Sequence, residues 1–391
     1  MLSYFGSVDL KTFHAETVAQ RATSERGKEA AELVGNGRAI GVQVDDGIGW
    51  TFQVSKGVID IKEGVSTAPL LLRTDTRAWS DLITEAWSII GLVLQGRVVI
   101  ERGNFNHVVK WEAALQALYN DRPIWFPRSE TFNQEYVFSL NDDAEIMQNA
   151  LQELGFIRIQ NVFTHEEIKQ MGSEVNRRRE AASPDDKRSW WATDMHGNER
   201  CCRVTYLNHG SELFASLPYD KRLLKLAKLS EEKLVPTPEH GDGVSAVIKV
   251  PDVVEGLSDL PWHRDCGMGG HPLLCPGLNI GIQLDSATAK TGQLKFLQGS
   301  NTYGGGANYA SDSPLATPVD TNAGDVTIHF GHTLHVAPPP TGASNYRRTV
   351  YVSFHVSDYQ EVLPEGQGYN DVLFSHGDGR VRTPQERLGN S

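Results

Sequence analysis

The chain is short of the features that usually place a protein at a glance. It has four cysteines in 391 residues and no CxxC spacing. Cys201 and Cys202 are adjacent, which suits neither a zinc knuckle nor an unstrained disulfide. Free thiols in a reducing compartment are the expectation. Long apolar runs are missing too: the most apolar stretch, "IIGLVL" at 89–94, falls far below the roughly 20 residues that a membrane-spanning helix needs. The opening "MLSYFGSVDLKTFHAETVAQ" has no basic segment followed by an apolar one, so no secretory signal is expected. Positive charge is scarce. A net charge of −12 argues against a nucleic-acid partner, and the basic run "NRRRE" at 176–180 is flanked by acids as at a solvated helix end. These absences predict a cytoplasmic protein with no membrane span and no nucleic acid.

What is present falls into two textures, and the length fits two domains. Residues 11–34 are rich in Ala, Glu, Lys and Arg and predict helix. "AIGVQV" and "GWTFQVSKGVIDIKEG" alternate apolar and polar around "DDG" at 45–47, a hairpin signal. Trp79, Leu82, Ile83, Ala86, Trp87 and Ile90 have the spacing of one amphipathic helix. A strand, "GRVVIERGN" (96–104), and a helix, "VVKWEAALQALY" (108–119), close this half.

Over roughly residues 15–118 this order resembles a sterol-carrier-protein-like domain. Gly96-Arg97 and Gly103-Asn104 stand where that family usually has Gly-Lys and Gly-Asp. The resemblance implies an apolar, lipid-sized tunnel and no catalytic groups; a packed domain that only docks is the alternative. Residues 119–142 carry two prolines and no sustained period, which makes them the linker. A fresh start follows: a helix over 143–153 stopped by Gly155, the strand "FIRIQ", and a second helix whose Thr164 and Glu167 fit a capping box. The domains are therefore expected at 1–118 and 143–391.

Within the second half, "LPWHRDCGMGGH" (260–271) places His263 two residues before Asp265. Five such His-x-acid pairs occur in the chain: His14/Glu16, His165/Glu167, His240/Asp242, His263/Asp265 and His376/Asp378. The first and the second lie in helical sequence, where residues two apart diverge. His240 and His376 sit in "HGDG" turns. Only His263/Asp265 precedes strand-like sequence, "LNIGIQLD" and "GQLKFLQGS", and at the end of an extended segment alternate residues point the same way. A third ligand has to come from a later strand. In "GDVTIHFGHTLHVAPPP" (324–340), His329 and His335 share a face, while His332 lies among the apolar residues of the other. Parity leaves His329 and His335 tied. "YRRTVYVSFHV" (346–356) then alternates Arg347, Thr349, Tyr351, Ser353 and His355 with an apolar face. Two histidines, one carboxylate and open positions describe a non-haem Fe(II) site, and an arginine on the polar face can clamp a carboxylate.

These landmarks, in order "ELGFIRIQNVFTHEEI", "HRD", "GQLKFLQGS", "GD" with a distal His, and a following Arg, resemble the phytanoyl-CoA dioxygenase family of Fe(II)/2-oxoglutarate oxygenases over about 143–376. In that family the distal His lies eleven residues beyond the Gly of Gly-Asp; from Gly324 this is His335. The 2-oxoglutarate arginine is commonly the first of an Arg-basic pair, which selects Arg347. The resemblance therefore implies Fe(II) on His263, Asp265 and His335, 2-oxoglutarate on Arg347, and O2 as oxidant. Ala337 and "PPPT" replace a serine and an asparagine that the family often has, which removes side-chain contacts to the co-substrate from that turn. Asp265 itself speaks for oxygen chemistry, since halogenating relatives lose that carboxylate.

The expected activity is hydroxylation of an unactivated C–H bond in an apolar small molecule, such as a lipid, steroid, terpenoid or polyketide. Desaturation or cyclisation at the same iron, and a lipid-binding protein with a silent oxygenase half, are the alternatives. Trp190 and Trp191, with Met195 and His196 near them, and His271 are the candidate substrate contacts. A homo-oligomer is compatible with all of this. The expected fold is α+β in two domains: a small sterol-carrier-like domain, then a double-stranded β-helix (jelly roll) with outer helices.

Overall fold

Lys56 and Gly57 both adopt left-handed backbone (φ 52° and 76°), the requirement of a two-residue hairpin turn, and so fold the run 49–63 back on itself. In the computed structural model this makes two strands of a five-stranded sheet. The structure describes residues 7–65, 68–94, 96–126, 132, 134–239, 241–256, 262–267, 276–302, 304–305, 310–341 and 346–357. The first sheet contains β1 (Ala39–Val44), β2 (Gly49–Ser55), β3 (Val58–Glu63), β4 (Leu70–Thr74) and β5 (Val98–Arg102), in the order β3-β2-β1-β4-β5. The β1–β4 pair is parallel and the others antiparallel.

Six helices accompany this sheet: α1 (Leu10–Phe13), α2 (Ala19–Ala22), α3 (Glu25–Val34), α4 (Thr76–Ile83), α5 (Ile89–Leu94) and α6 (Phe105–Asn120). A π-turn over His14–Val18 joins α1 to α2. It seats His14 flat on Trp50, with ring centroids 3.9 Å apart. Tyr119 closes the cluster: its hydroxyl lies 3.2 Å from His14 Nε2 and accepts from Trp79 Nε1 at 3.2 Å. These rings, with Phe52, occupy the middle of the first unit.

One expectation is corrected here. The single helix expected over Trp79–Ile90 is two. Asp75 caps α4 by accepting from Ala78 N, Glu85 then turns left-handed (φ 61°), and α5 starts afresh at Ile89. The spacing of apolar residues survives the break because both pieces bury the same kind of face. Periodicity alone does not reveal such a kink.

The second unit opens with β6 (Val137–Ser139), α7 (Ala144–Leu154), β7 (Phe156–Gln160) and α8 (His165–Ala181). The Thr164/Glu167 capping box is present on α8. There follow β8 (Ser189–Asp194), β9 (Glu199–Val204), α9 (Glu212–Ser216), α10 (Lys221–Ala227), β10 (Leu234–Pro236), β11 (Ser245–Lys249) and β12 (Val253–Gly256). The last strands are β13 (Leu278–Gln283), β14 (Leu294–Leu297), β15 (Ala316–Val319), β16 (Val326–Phe330), β17 (His335–Val336) and β18 (Arg347–Val356).

Ten strands form one large sheet, β12-β8-β9-β11-β18-β13-β16-β7-β6 with β10 also on β18. Three form a small one, β15-β14-β17. This is a mixed α+β structure with large sheets, consistent with a jelly-roll oxygenase fold. The outer face of the large sheet, with Ala246, Ile248, Ile280, Ile328, Val350 and Val352, packs on α7, α8 and α10. Asp325, of the "GD" landmark, is a structural lock: its carboxylate accepts from Arg158 Nη2 at 2.6 Å and from Asn161 N at 2.9 Å, tying β16 to β7. No helix among the described residues is long and apolar enough to cross a membrane.

Candidate metal centre

Strand alternation sends the other faces of β13, β16 and β18 inward: Asn279, Gly281 and Gln283; Thr327 and His329; Arg347, Thr349, Tyr351 and Ser353. His263 reaches this space through an antiparallel bridge with His335, in which each backbone N–H donates to the other's carbonyl at 3.0 Å. Their rings lie 4.3 Å apart, centroid to centroid. Asp265 N and Cys266 N both donate to Gly331 O. The carboxylate so placed has Oδ1 3.6 Å from His263 Nε2 and 3.8 Å from His335 Nε2. One ligand atom from each of the three residues falls within 4.8 Å of the others, the spread of donors around a single ion.

The surroundings orient these donors. His335 Nδ1 bonds Thr333 O at 2.9 Å, which leaves Nε2 as the free lone pair, an arrangement typical of ligating histidines. Asp265 Oδ2 accepts from Asn279 Nδ2 at 2.7 Å, and Asn279 Oδ1 accepts from Ser353 Oγ at 2.8 Å. Burial pushes the Asp265 carboxyl up, yet the imidazoles of His335, His329 and His263 outweigh it and hold the group well below the usual carboxylate range.

His329, tied with His335 by parity, is on the same inward face but at the other carboxylate oxygen. Its Nε2 is 3.5 Å from Asp265 Oδ2. The ring is 1% exposed, packs 5.1 Å from Phe296, and neither nitrogen has a hydrogen-bond partner among the described residues. His332 turns away and stacks on Phe330.

Arg347 is 2% exposed. Its guanidinium donates to Thr349 Oγ1 at 2.6 Å and Gly292 O at 2.9 Å, while Nε has no partner. Among the described residues no carboxylate pairs with it. A buried cation held only by neutral groups is costly, and an incoming carboxylate would complete it. The strand beside it is closely packed: a Cβ on Gly281 would stand 2.9 Å from Thr327 Oγ1 and from Tyr351 Cε1, so only glycine fits there without a shift. Arg348, its neighbour, points outward to Asp285 and the α8 residues Gly172 and Asn176. Lys249, across from Arg347 in the β11–β18 ladder, donates to Ala337 O. The residue that replaces a serine thus engages the site through its backbone. Asn279, Gln283 and Lys249 were not singled out from sequence, although for the first two the alternation of "LNIGIQLD" carried that information.

The two tryptophans part company. Trp190 faces inward opposite Arg203, whose guanidinium carbon lies 4.4 Å from the ring centroid. Trp191, the next residue of β8, points the other way to the outer core. Met195 is 60% exposed on its turn. His240, His271 and His376 lie outside the described residues.

Two histidines and one carboxylate brought together on the inward face form a donor set that could hold a single metal ion of the non-haem iron type. The phytanoyl-CoA dioxygenase family model matches residues 151–349, about half the chain, and the chain belongs to that family. Family and donor set together define iron and 2-oxoglutarate as its cofactors. No curated protein matches significantly. Among solved structures, AviO1 from Streptomyces viridochromogenes Tue57 is 24% identical over 57% of this chain and 97% of its own, at a TM-score of 0.42. EctD from S. alaskensis with bound Fe is 17% identical over 61% and 84%, at 0.45. EvdMO1 is 23% identical over 55% of this chain and 50% of its own, at 0.44. Similarity at this level carries no argument about the reaction.

Proposed function

We propose that this protein is an Fe(II)/2-oxoglutarate-dependent hydroxylase of an apolar small molecule. The observation that carries the reading is the convergence of the His263, Asp265 and His335 donor atoms within 4.8 Å, on the inward face that also carries the buried Arg347, with which no carboxylate among the described residues pairs. Iron and 2-oxoglutarate, once bound, supply with O2 the oxidising power to cleave an unactivated C–H bond. The chain's own residues do the rest. His263, Asp265 and His335 hold the metal, and Asn279 keeps Asp265 turned so that Oδ1 faces the two imidazoles. Arg347 takes the distal carboxylate of 2-oxoglutarate, with Thr349 fixing the guanidinium. Trp190 offers the substrate an apolar wall. The apolar substrate class rests on the likeness of the first unit, over roughly residues 15–118, to a sterol-carrier domain; a five-stranded sheet with helices is what such a domain would build.

The test is anaerobic addition of Fe(II) and 2-oxoglutarate to apo-protein, following the visible charge-transfer band of the chelate. The band is expected in wild type, lost in His263→Ala and weakened in Arg347→Ala. A metal-loaded wild type with no band would sink the reading.

A further inference from the structure

The loop that carries two of the three proposed ligands is held on one side by the barrel and on the other by the first unit. On the barrel side, Asp265 N and Cys266 N share a single acceptor, Gly331 O, and the Arg264 side chain donates to the carbonyls of His332, Ser300 and Gly305. Two residues past Asp265, Gly267 O accepts from Ser88 Oγ at 2.6 Å and from Ser88 N at 3.1 Å. Ser88 Oγ accepts in turn from Gly91 N at 2.9 Å. A Cβ on Gly91 would stand 2.3 Å from Gly267 O, so no side chain fits there without moving the loop. Glu112 of α6 fixes the start of α5 by accepting from Ile89 N at 2.8 Å. Ser88 and Cys266 are 4% and 1% exposed; the seam is closed.

We propose that Ser88 and Gly91 of the first unit are positioning residues for the metal centre, clamping the Gly267 carbonyl so that Asp265 and His263 stay in ligating register. This rests on the metal reading above. The physical ground is that Asp265 has one shared backbone anchor on the barrel side. With the chain released at Gly267, the main chain at Asp265 can shift about that one carbonyl, and the Asn279 bond is left to hold the carboxylate. The helix break between α4 and α5 has the same origin: residues 84–88 leave the helical path to deliver Ser88 to the loop. The first unit therefore serves the oxygenase centre as a buttress, whatever else it binds.

The test uses the full-length apo-protein titrated with Co(II), reading both affinity and the ligand-field bands. Ser88→Ala and Gly91→Ala are expected to weaken Co(II) binding by about tenfold or more, the usual cost of losing support behind a ligand, and to shift the bands. Ser88→Thr, which keeps the hydroxyl, is expected to restore both. Val54→Ala, in the β2 core of the first unit, is expected to lower stability and leave Co(II) affinity unchanged. If Gly91→Ala does not fold, Ser88→Ala decides. Wild-type binding that His263→Ala abolishes, with folded seam variants unchanged, would overturn this inference alone. A wild type that binds no Co(II) would overturn the metal reading and this inference with it.

Discussion

Two buried histidines, one in each unit, show the difference between a core and a site. His14 is 2% exposed and His329 is 1% exposed. His14 has a partner at each nitrogen, Leu10 O at 2.7 Å and the Tyr119 hydroxyl at 3.2 Å, and a tryptophan face against its ring. Burial pushes its imidazole down to about 4, so it is a neutral, satisfied member of an aromatic core. His329 has no such partners among the described residues, and a carboxylate oxygen of Asp265 lies 3.5 Å from its Nε2. Arg347 repeats the pattern with an unpartnered Nε. Proteins seldom leave buried polar groups unpaired. Where a cluster of them faces one space, that space is built for something else to enter.

The sharpest way to break this comparison is at Arg347. Arg347→Met removes a buried cation that no carboxylate among the described residues pairs, so the apo-protein is expected to unfold at a higher temperature. The same variant should weaken 2-oxoglutarate binding by about 100-fold, since a buried charge pair loses one partner. Calorimetric titration beside a melting curve reads both. A variant that loses stability and keeps its 2-oxoglutarate affinity would place Arg347 with His14, as structure.

Next in size is Glu112, which lies between the two kinds of burial. Burial raises its carboxyl to about 7, against the opposing pull of the Ile89 N–H and Arg264. The folded state thus keeps a proton that the unfolded state releases from about pH 4.5 upward. Stability attributable to Glu112 is full below that pH and falls as pH rises to 7, by up to about 3 kcal/mol. Glu112→Gln should remove this decline, as urea unfolding at several pH values would show. The smallest effect is expected at Tyr119→Phe, which strips partners from His14 and Trp79 at a cost of roughly 1–3 kcal/mol, with metal affinity unchanged.

How much of this was legible depended on whether the signal was local. The alternation of β18 announced Arg347 and Thr349 on one face and Arg348 among packing residues, and the ladder has them so. The same parity separated His332 from His329 and His335. Applied to the adjacent Trp190 and Trp191, it puts them on opposite faces, and β8 has them so. Helical spacing failed between Thr84 and Ser88, where the chain leaves the helix and Ser88 bonds a carbonyl 179 residues further on. The part played by Asn279 was hidden differently: within "LNIGIQLD" it reads as one polar residue in an apolar strand, and only a partner fourteen residues earlier gives it meaning.

The bridge between His263 and His335 bears on the order of events as the chain folds. Seventy-two residues separate the two in sequence, and one antiparallel pair of hydrogen bonds brings them together. Contacts of such separation form late, because a long loop must close before any reward is felt. High-affinity metal capture then waits for the last stages of folding. The nascent chain passes through most of its synthesis without a competent chelating site, and the acquisition of iron becomes a mark that the barrel has closed.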